Sequence, residues 1–365
     1  MWFAFAYSGR SLTITLPPLN DLITLSREVG CYYFFGTVFY LMTFLKRSFT
    51  TLVFAGLIGG AASQAAVRLA GAGATFPDAI YARWFSMLAK SGGPKVNYQG
   101  IGSGGGRKAF INETVAFGAS DDPISEKDIK SVSRGVVQIP TVGGSIAVAY
   151  NKSGCSLKLT QKQVVSIFMG SINNWKQLGC ADGKITVVHR SDGSGTTAAF
   201  TESLQSFSKE WTLGNGKSVN WKVGVGGKGN DGVAGTLNTT QGSIGYVNQA
   251  FVKGSLKAAA VQNKAGEFML PTAAAGAKAL ASIKLDKNLA GGNPNPSTPG
   301  AYPIATLTYL LFYAKGNGAK AESLREMATF ILSDKAQAIA DDLGYVPLRD
   351  SIQATAQKAV ARIKE

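Results

Sequence analysis

Three segments of this 365-residue chain share one design. An apolar run is followed by a turn of small and hydroxylated residues, and the turn feeds a helical pattern. The turns are Gly73-Ala74-Thr75-Phe76, Gly102-Ser103-Gly104-Gly105 and Gly193-Ser194-Gly195-Thr196. Repeated strand–turn–helix units point to an α/β architecture, with helices covering the faces of a sheet. Such turns aim backbone N–H groups and hydroxyls at one point, and each helix N-terminus adds roughly half a positive charge. This chemistry holds an oxyanion without a metal, provided that the fold brings the three turns together. Taken singly, Ser103 and Ser194 fit ordinary turns.

The periodicity between the turns extends the pattern. Val67–Ala70 is a short apolar run that Gly71-Ala72-Gly73 turns. Ile80, Trp84, Met87 and Leu88 mark an amphipathic helix after Pro77, ending near Ser91-Gly92-Gly93. Lys95–Ile101 alternates as a strand, Gly102–Gly106 reads as a glycine-rich turn and Arg107–Asn112 as a helix. A strand over Val115–Ala119 leads to Ser120-Asp121-Asp122-Pro123. Two strand-like runs fill Val136–Tyr150, broken at Pro140 and Gly143-Gly144. Thr160 and Gln163 form a capping box for a helix that stops at Gly170. Ile185–His189 is a strand, and a helix after the third turn continues through Phe207. Strand Ile304–Tyr313, helix Ala321–Ser333 and a closing helix from Asp350 complete the chain.

Several enzyme classes fail on residue inventory or spacing. The chain has one histidine, His189, so multi-histidine zinc sites are impossible and a Ser-His-Asp triad would have to use His189 itself. It reads as a strand residue without a chemical role. Neither G-x-x-x-x-G-K-[ST] nor G-x-S-x-G occurs: Gly216-Lys217-Ser218 has Trp211 where the first glycine belongs. Gly224–Gly229 matches G-x-G-x-x-G, but Asn230-Asp231-Gly232 do not read as a following helix, which argues against a dinucleotide fingerprint. Lys228, Asn230 and Asp231 read as loop-shaping residues. The formal charge of +15 attracts anions, yet the basic residues are dispersed, as on a positive surface rather than a nucleic-acid groove.

The N-terminal region has a different character. Residues 1–41 are dense in aromatics and lack lysine. Met42 is then followed by Lys46 and Arg47, an apolar run over Phe49–Ile58, and small residues ending Ser63-Gln64-Ala65. That is secretory logic, with translation expected from Met42, a signal peptide over 42–65 and a non-native extension over 1–41. A membrane helix over 29–45 is the alternative. Of the three cysteines, Cys155 and Cys180 lie beyond this region, and an even pair in an exported chain suggests a disulfide, with two free buried thiols as the alternative.

Gly71-Ala72-Gly73-Ala74-Thr75-Phe76-Pro77, Tyr98–Ser103, Phe117–Asp121, Arg190–Thr196, Gly226–Gly232, Ile244–Val247 and Leu343–Leu348 occur in order across 67–365. Together they resemble the conserved blocks of the periplasmic phosphate-binding proteins of high-affinity ABC phosphate importers; nothing in 1–41 does. The resemblance implies an α/β, two-lobed periplasmic binding protein of type II-like fold, each lobe a mixed sheet flanked by helices, with the ligand in the interlobe cleft. It places lobe I at 66–142 plus 302–365 and lobe II at 143–301, the chain crossing twice. It further implies periplasmic localisation, inorganic phosphate as ligand, a permease and an ATPase as partners, a monomer, and neither cofactor, metal, nucleic acid nor catalysis.

The same resemblance implies the ligand set. Thr75 gives a hydroxyl, Phe76 a backbone N–H, and Ser103 both kinds of donor. Asp121 accepts the phosphate proton, Arg190 supplies the positive charge and is oriented by Asp192, Ser194 gives a hydroxyl, and Gly195 with Thr196 the amides of a helix N-terminus. Three departures stand out: Gly104 replaces a serine common after Ser103, His189 precedes Arg190, and Asp122 adds an acid beside Asp121. Side chains at successive strand positions point apart, which would turn Asp122 away. Roughly ten hydrogen bonds at about 1.5–3 kcal/mol each would offset the desolvation of a dianion. A carboxylate at Asp121 would select phosphate, which carries a proton at neutral pH, over sulfate, which does not. The rivals are a secreted phosphatase-like enzyme on this scaffold, a surface adhesion protein, and a receptor for another tetrahedral oxyanion.

Overall fold

The computed structural model describes residues 67–365; the expected extension, signal peptide and alternative membrane helix lie outside them. The chain opens with β1 (Arg68–Gly73), α1 (Asp78–Lys90), β2 (Lys95–Gly100), α2 (Ser103–Ile111), β3 (Phe117–Ser120) and α3 (Glu126–Ser131). A 16-residue strand follows, β4 (Val136–Asn151), then β5 (Lys158–Leu159), α4 (Gln161–Met169), β6 (Thr186–Arg190) and α5 (Gly195–Phe207). Next come β7 (Val225–Gly227), α6 (Gly229–Thr239), β8 (Ser243–Asn248), β9 (Lys257–Ala258), β10 (Ala260–Gln262), β11 (Phe268–Met269) and α7 (Ala273–Leu280). The C-terminal part adds β12 (Ala305–Tyr313), α8 (Ala321–Ile331), α9 (Asp334–Gln337) and α10 (Asp350–Val360).

Nine strands form one sheet in the order β2-β1-β3-β12-β4-β8-β6-β7, with β9 against β4, and β11-β10-β5 form a small second sheet. Long β4 divides the main sheet. Its Val136–Ser145 stretch pairs antiparallel with β12, and Ile146–Asn151 pairs antiparallel with β8. The near half thus contains the parallel strands β2, β1 and β3 together with β12, and the far half contains β8, β6 and β7, also mutually parallel. The two sets of parallel strands run in opposite directions, so the turns after β1, β2, β6 and β7, and the helices they start, face each other where β4 passes from one half to the other.

Four expectations are corrected. First, β4 is a single strand. Neighbouring Thr308 and Tyr309 pair with Val142 and Pro140, so Thr141 is the extra residue of a bulge, and the bulge accommodates the proline, which has no N–H for the ladder. Second, Gly71-Ala72-Gly73 belong to β1. Third, α2 begins at Ser103 and runs through the glycines read as a turn. Their packing explains it: a Cβ on Gly106 would meet the Gly73 backbone at 2.2 Å, so the helix lies against β1 only without side chains there. Fourth, α6 starts at Gly229, directly after the G-x-G-x-x-G segment.

The expected capping box of Thr160 and Gln163 is present, and α4 ends on Gly170 in the left-handed region at φ 84°. Cys155 and Cys180 are joined by a disulfide, with Cα atoms 5.5 Å apart, in the far half.

Candidate functional site

The three hydroxylated turns meet between the two halves of the sheet. Ser103 opens α2, and its buried Oγ accepts the Asp121 N–H at 3.2 Å. Gly195, the first residue of α5, packs against both, since a Cβ there would lie 2.6 Å from Ser103 Oγ and 2.8 Å from Asp121 Cβ. Only glycine allows this approach. The Gly104 N–H donates to the Gly193 carbonyl at 2.8 Å, a backbone bond between the second and third turns. The first turn joins through Asn230 on α6. The Asn230 N–H and Nδ2 both donate to Thr75 Oγ1 at 3.0 Å, and Nδ2 also reaches Thr196 Oγ1 at 3.2 Å.

The hydroxyls are pre-set as donors. Thr75 Oγ1 receives two N–H groups, Ser103 Oγ receives Asp121 N–H, and Ser194 Oγ caps α5 by accepting Thr197 N–H at 3.0 Å. A hydroxyl with its lone pairs engaged offers its proton outward. The Thr196 hydroxyl differs, because it donates to Asp121 Oδ2 at 3.2 Å. Its amide and that of Gly195 head α5, where no intrahelical acceptor exists. Phe76 packs its ring edge-on to Tyr345, whose hydroxyl donates to the Phe76 carbonyl at 2.8 Å; the Phe76 N–H has no acceptor among the described residues.

Charge is arranged as tightly. Arg190 ends β6 with its guanidinium buried. Nε and Nη2 grip both oxygens of Asp192 at 2.8 and 2.6 Å, leaving Nη1 without an acceptor among the described residues. Asp192 also accepts the Gly229 N–H at 3.0 Å. Burial works to raise the Asp192 carboxyl, but hydrogen bonds and charge from Arg190 outweigh it and hold the group below its ordinary range. Asp121 behaves oppositely. Burial pushes its carboxyl up to about 7, against hydroxyl bonds from Thr308 (2.8 Å to Oδ1) and Thr196 and the attraction of Arg190. Asp122 turns away, with Oδ2 2.8 Å from Arg107 Nη2 and 3.0 Å from Lys217 Nζ. Its charge is matched outside the cluster, and its repulsion is the smallest of the influences on Asp121. His189 stacks on Trp221 with ring centroids 5.0 Å apart.

Thr75, Phe76, Ser103, Asp121, Arg190, Asp192, Ser194, Gly195 and Thr196 therefore lie in one cluster. Three participants escaped the sequence reading. Asn230 bridges Thr75 and Thr196 and accepts Asn248 N–H at 2.9 Å. Thr308, on β12, reaches Asp121 from 187 positions away. Asp78, in the first turn of α1, has its carboxyl raised to about 7 by burial first, then by Asp231 and Asp121, with Arg190 opposing. The G-x-G-x-x-G segment was the available signal for Asn230, had its helix been recognised. Among the described residues no group of three metal-ligating side chains assembles.

Comparison with known proteins agrees with this architecture. The family model described as a PBP superfamily domain matches residues 60–335. The phosphate-binding protein PstS of Pasteurella multocida is 38% identical over 303 residues, spanning 78% of this chain and 87% of that protein. PstS of Haemophilus influenzae is 37% identical over 307 residues, covering 79% and 90%. Among solved structures, the high-affinity periplasmic phosphate-binding protein PfluDING, bound with phosphate, superposes with a TM-score of 0.70 at 25% identity, covering 80% of this chain and 93% of its own. The chain belongs to the PstS phosphate-binding proteins of the PBP superfamily.

Proposed function

We propose that this chain binds inorganic phosphate in the periplasm and delivers it to the permease and ATPase of an ABC importer, without catalysing a reaction. One observation carries the reading: hydroxyls that already accept N–H bonds converge on the same cluster as an unengaged guanidinium nitrogen and a buried carboxyl poised near neutrality. Donors from Thr75, Phe76, Ser103, Arg190, Ser194, Gly195 and Thr196 suit the oxygens of a tetrahedral anion. Asp121 suits its proton, either accepting it or, when itself protonated, donating one. Asp192 fixes Arg190 and removes its excess charge.

The two halves of the sheet serve as lobes, 66–142 with 302–365 and 143–301, which close on the anion as a monomer. Closure excludes water and strengthens each hydrogen bond. Calorimetry on protein stripped of anions tests the reading. The expected result is phosphate binding at micromolar Kd or tighter, corresponding to about 8 kcal/mol or more, with sulfate orders of magnitude weaker. Equal affinity for both anions overturns the role of Asp121. Preference for arsenate or molybdate, or turnover of a phosphate ester by metal-treated protein, would favour the rival readings.

A further inference from the structure

We propose that Asp122 and Lys217 form a latch across the phosphate cleft that sets how long the anion stays, not which anion enters. The proposal rests on the phosphate reading above. Asp122 adjoins Asp121, yet its carboxylate faces out of the cluster toward Arg107 and Lys217. Arg107 lies on α2 in the near half. Its Nη2 also donates to the backbone carbonyls of Asp122 and Pro123, at 2.7 and 3.0 Å, and its Nη1 to Asp128. The carboxylate is therefore fixed from its own side whether or not the cleft is closed.

Lys217 comes from the other side, in segment 208–224 between α5 and β7. Its backbone carbonyl accepts the Ser194 N–H at 2.9 Å, so it is tied directly to the turn that heads α5. The Lys217–Asp122 bond consequently joins the turn after β3 to the oxyanion turn of the far half. Separating the halves breaks this ion pair but leaves Asp122 with Arg107. Both side chains are 30% exposed, which keeps the pair open to salt screening while giving it more value than a fully solvated one. It touches no group assigned to the ligand, so it acts on closure and hence on dissociation.

Stopped-flow measurement of phosphate association and release on the full chain tests the latch. Lys217→Met is expected to release phosphate about threefold to tenfold faster, with association and the phosphate-to-sulfate ratio unchanged. Added salt should accelerate release from the wild type more than from Lys217→Met, and Lys217→Arg should restore slow release. Adding Asp122→Asn to Lys217→Met should cause little further acceleration, because the pair is already broken. An unchanged release rate in Lys217→Met, or equal salt sensitivity in both proteins, overturns the latch alone. A wild type that binds no phosphate overturns both the latch and the functional reading.

Discussion

The two halves of the sheet bring different charged groups to the site. The near half supplies hydroxyls and acids: Thr75 after β1, Ser103 at the head of α2, Asp121 after β3, Thr308 on β12 and Asp78 in α1. The far half supplies the Arg190 guanidinium at the end of β6, paired with Asp192, together with the Ser194 hydroxyl and the first amides of α5. Each half alone would be a poor receptor. On the proposed reading the near half offers donors beside acids but no guanidinium, and the far half offers no carboxyl free to sense the ligand's proton. Besides the Lys217–Asp122 pair, contacts that join them include Asn230 to Thr75, Thr196 to Asp121, and Gly104 to Gly193. On the proposed reading both halves give donors, the far half gives the guanidinium and the near half the carboxyl that senses the ligand's proton, and this division can be broken experimentally.

The largest effect is expected from Arg190→Ala. Truncating one partner of a buried, hydrogen-bonded charge pair should weaken phosphate binding by about 10²- to 10³-fold. Part of that loss comes from leaving Asp192 buried and unpaired, so Arg190→Ala with Asp192→Asn is the control. Calorimetry reads both. A loss under about tenfold in the double variant would mean that the helix N-terminus, not the guanidinium, carries the far half's contribution.

Asp121→Asn should act on identity. An amide can donate where the carboxylate only accepts, so sulfate binding strengthens while phosphate binding weakens, narrowing their ratio by about 10²-fold or more. The wild type should show the same trend with pH. Burial sets the Asp121 carboxyl near 7, so lowering the pH from about 8 to about 6 protonates it and lets it donate to sulfate. Sulfate affinity should rise over that interval in the wild type and rise less in Asp121→Asn, where Asp78 alone still titrates near 7. A flat wild-type profile would remove Asp121 from anion discrimination.

Asn230→Ala tests the joint between the halves. Loss of the amide deprives the Thr75 and Thr196 hydroxyls of a shared donor and the Asn248 N–H of its acceptor. Phosphate affinity should fall by about tenfold, with the phosphate-to-sulfate ratio unchanged, since neither Arg190 nor Asp121 is altered. A changed ratio would show that Asn230 reaches Asp121 through Thr196.

Local chemistry marked the three turns, the family resemblance supplied the ligand set, and long-range pairing hid the rest. Ser194 and Thr160 announce helix starts because a cap acts over three residues, and Gly170 announces an end for the same reason. The pairing of Arg190 with Asp192 was implied by the resemblance, and with the two residues only two positions apart it is a local contact in the fold. Thr308 carries no such mark: it is one hydroxyl in an apolar strand, and its role comes from the β12–β3 pairing. The start of α2 was misplaced because glycine propensity disfavours helix, whereas packing of Gly106 on Gly73 requires glycine there. Pro140 suggested two strands because a proline interrupts an ordinary ladder, and only the partner strand reveals the bulge.

Asp78→Asn probes the near half's excess of acid and should change binding least. Its Oδ1 is buried without a hydrogen-bond partner among the described residues, and Gly100 packs closely against Oδ2. The folded protein raises this carboxyl from an ordinary 3.8 to about 7. The folded state therefore holds a proton that the unfolded chain has released between these values, and its stability falls as pH rises from about 4 to about 7. Above 7 the ionised group costs the fold its full penalty. Asn at this position carries no such charge, so the thermal midpoint of Asp78→Asn, free of phosphate, should match the wild type near pH 4 and exceed it increasingly up to pH 7. The difference should then level off at about 1–3 kcal/mol, the desolvation cost of an unsatisfied buried polar group. Asp121 adds a slope of the same sign to both proteins, and because the two carboxylates repel, the variant also relieves Asp121, which works in the same direction. If the asparagine variant is instead the less stable one at pH 8, the Asp78 carboxylate is making a favourable contact, and the acids of the near half support the fold rather than burden it.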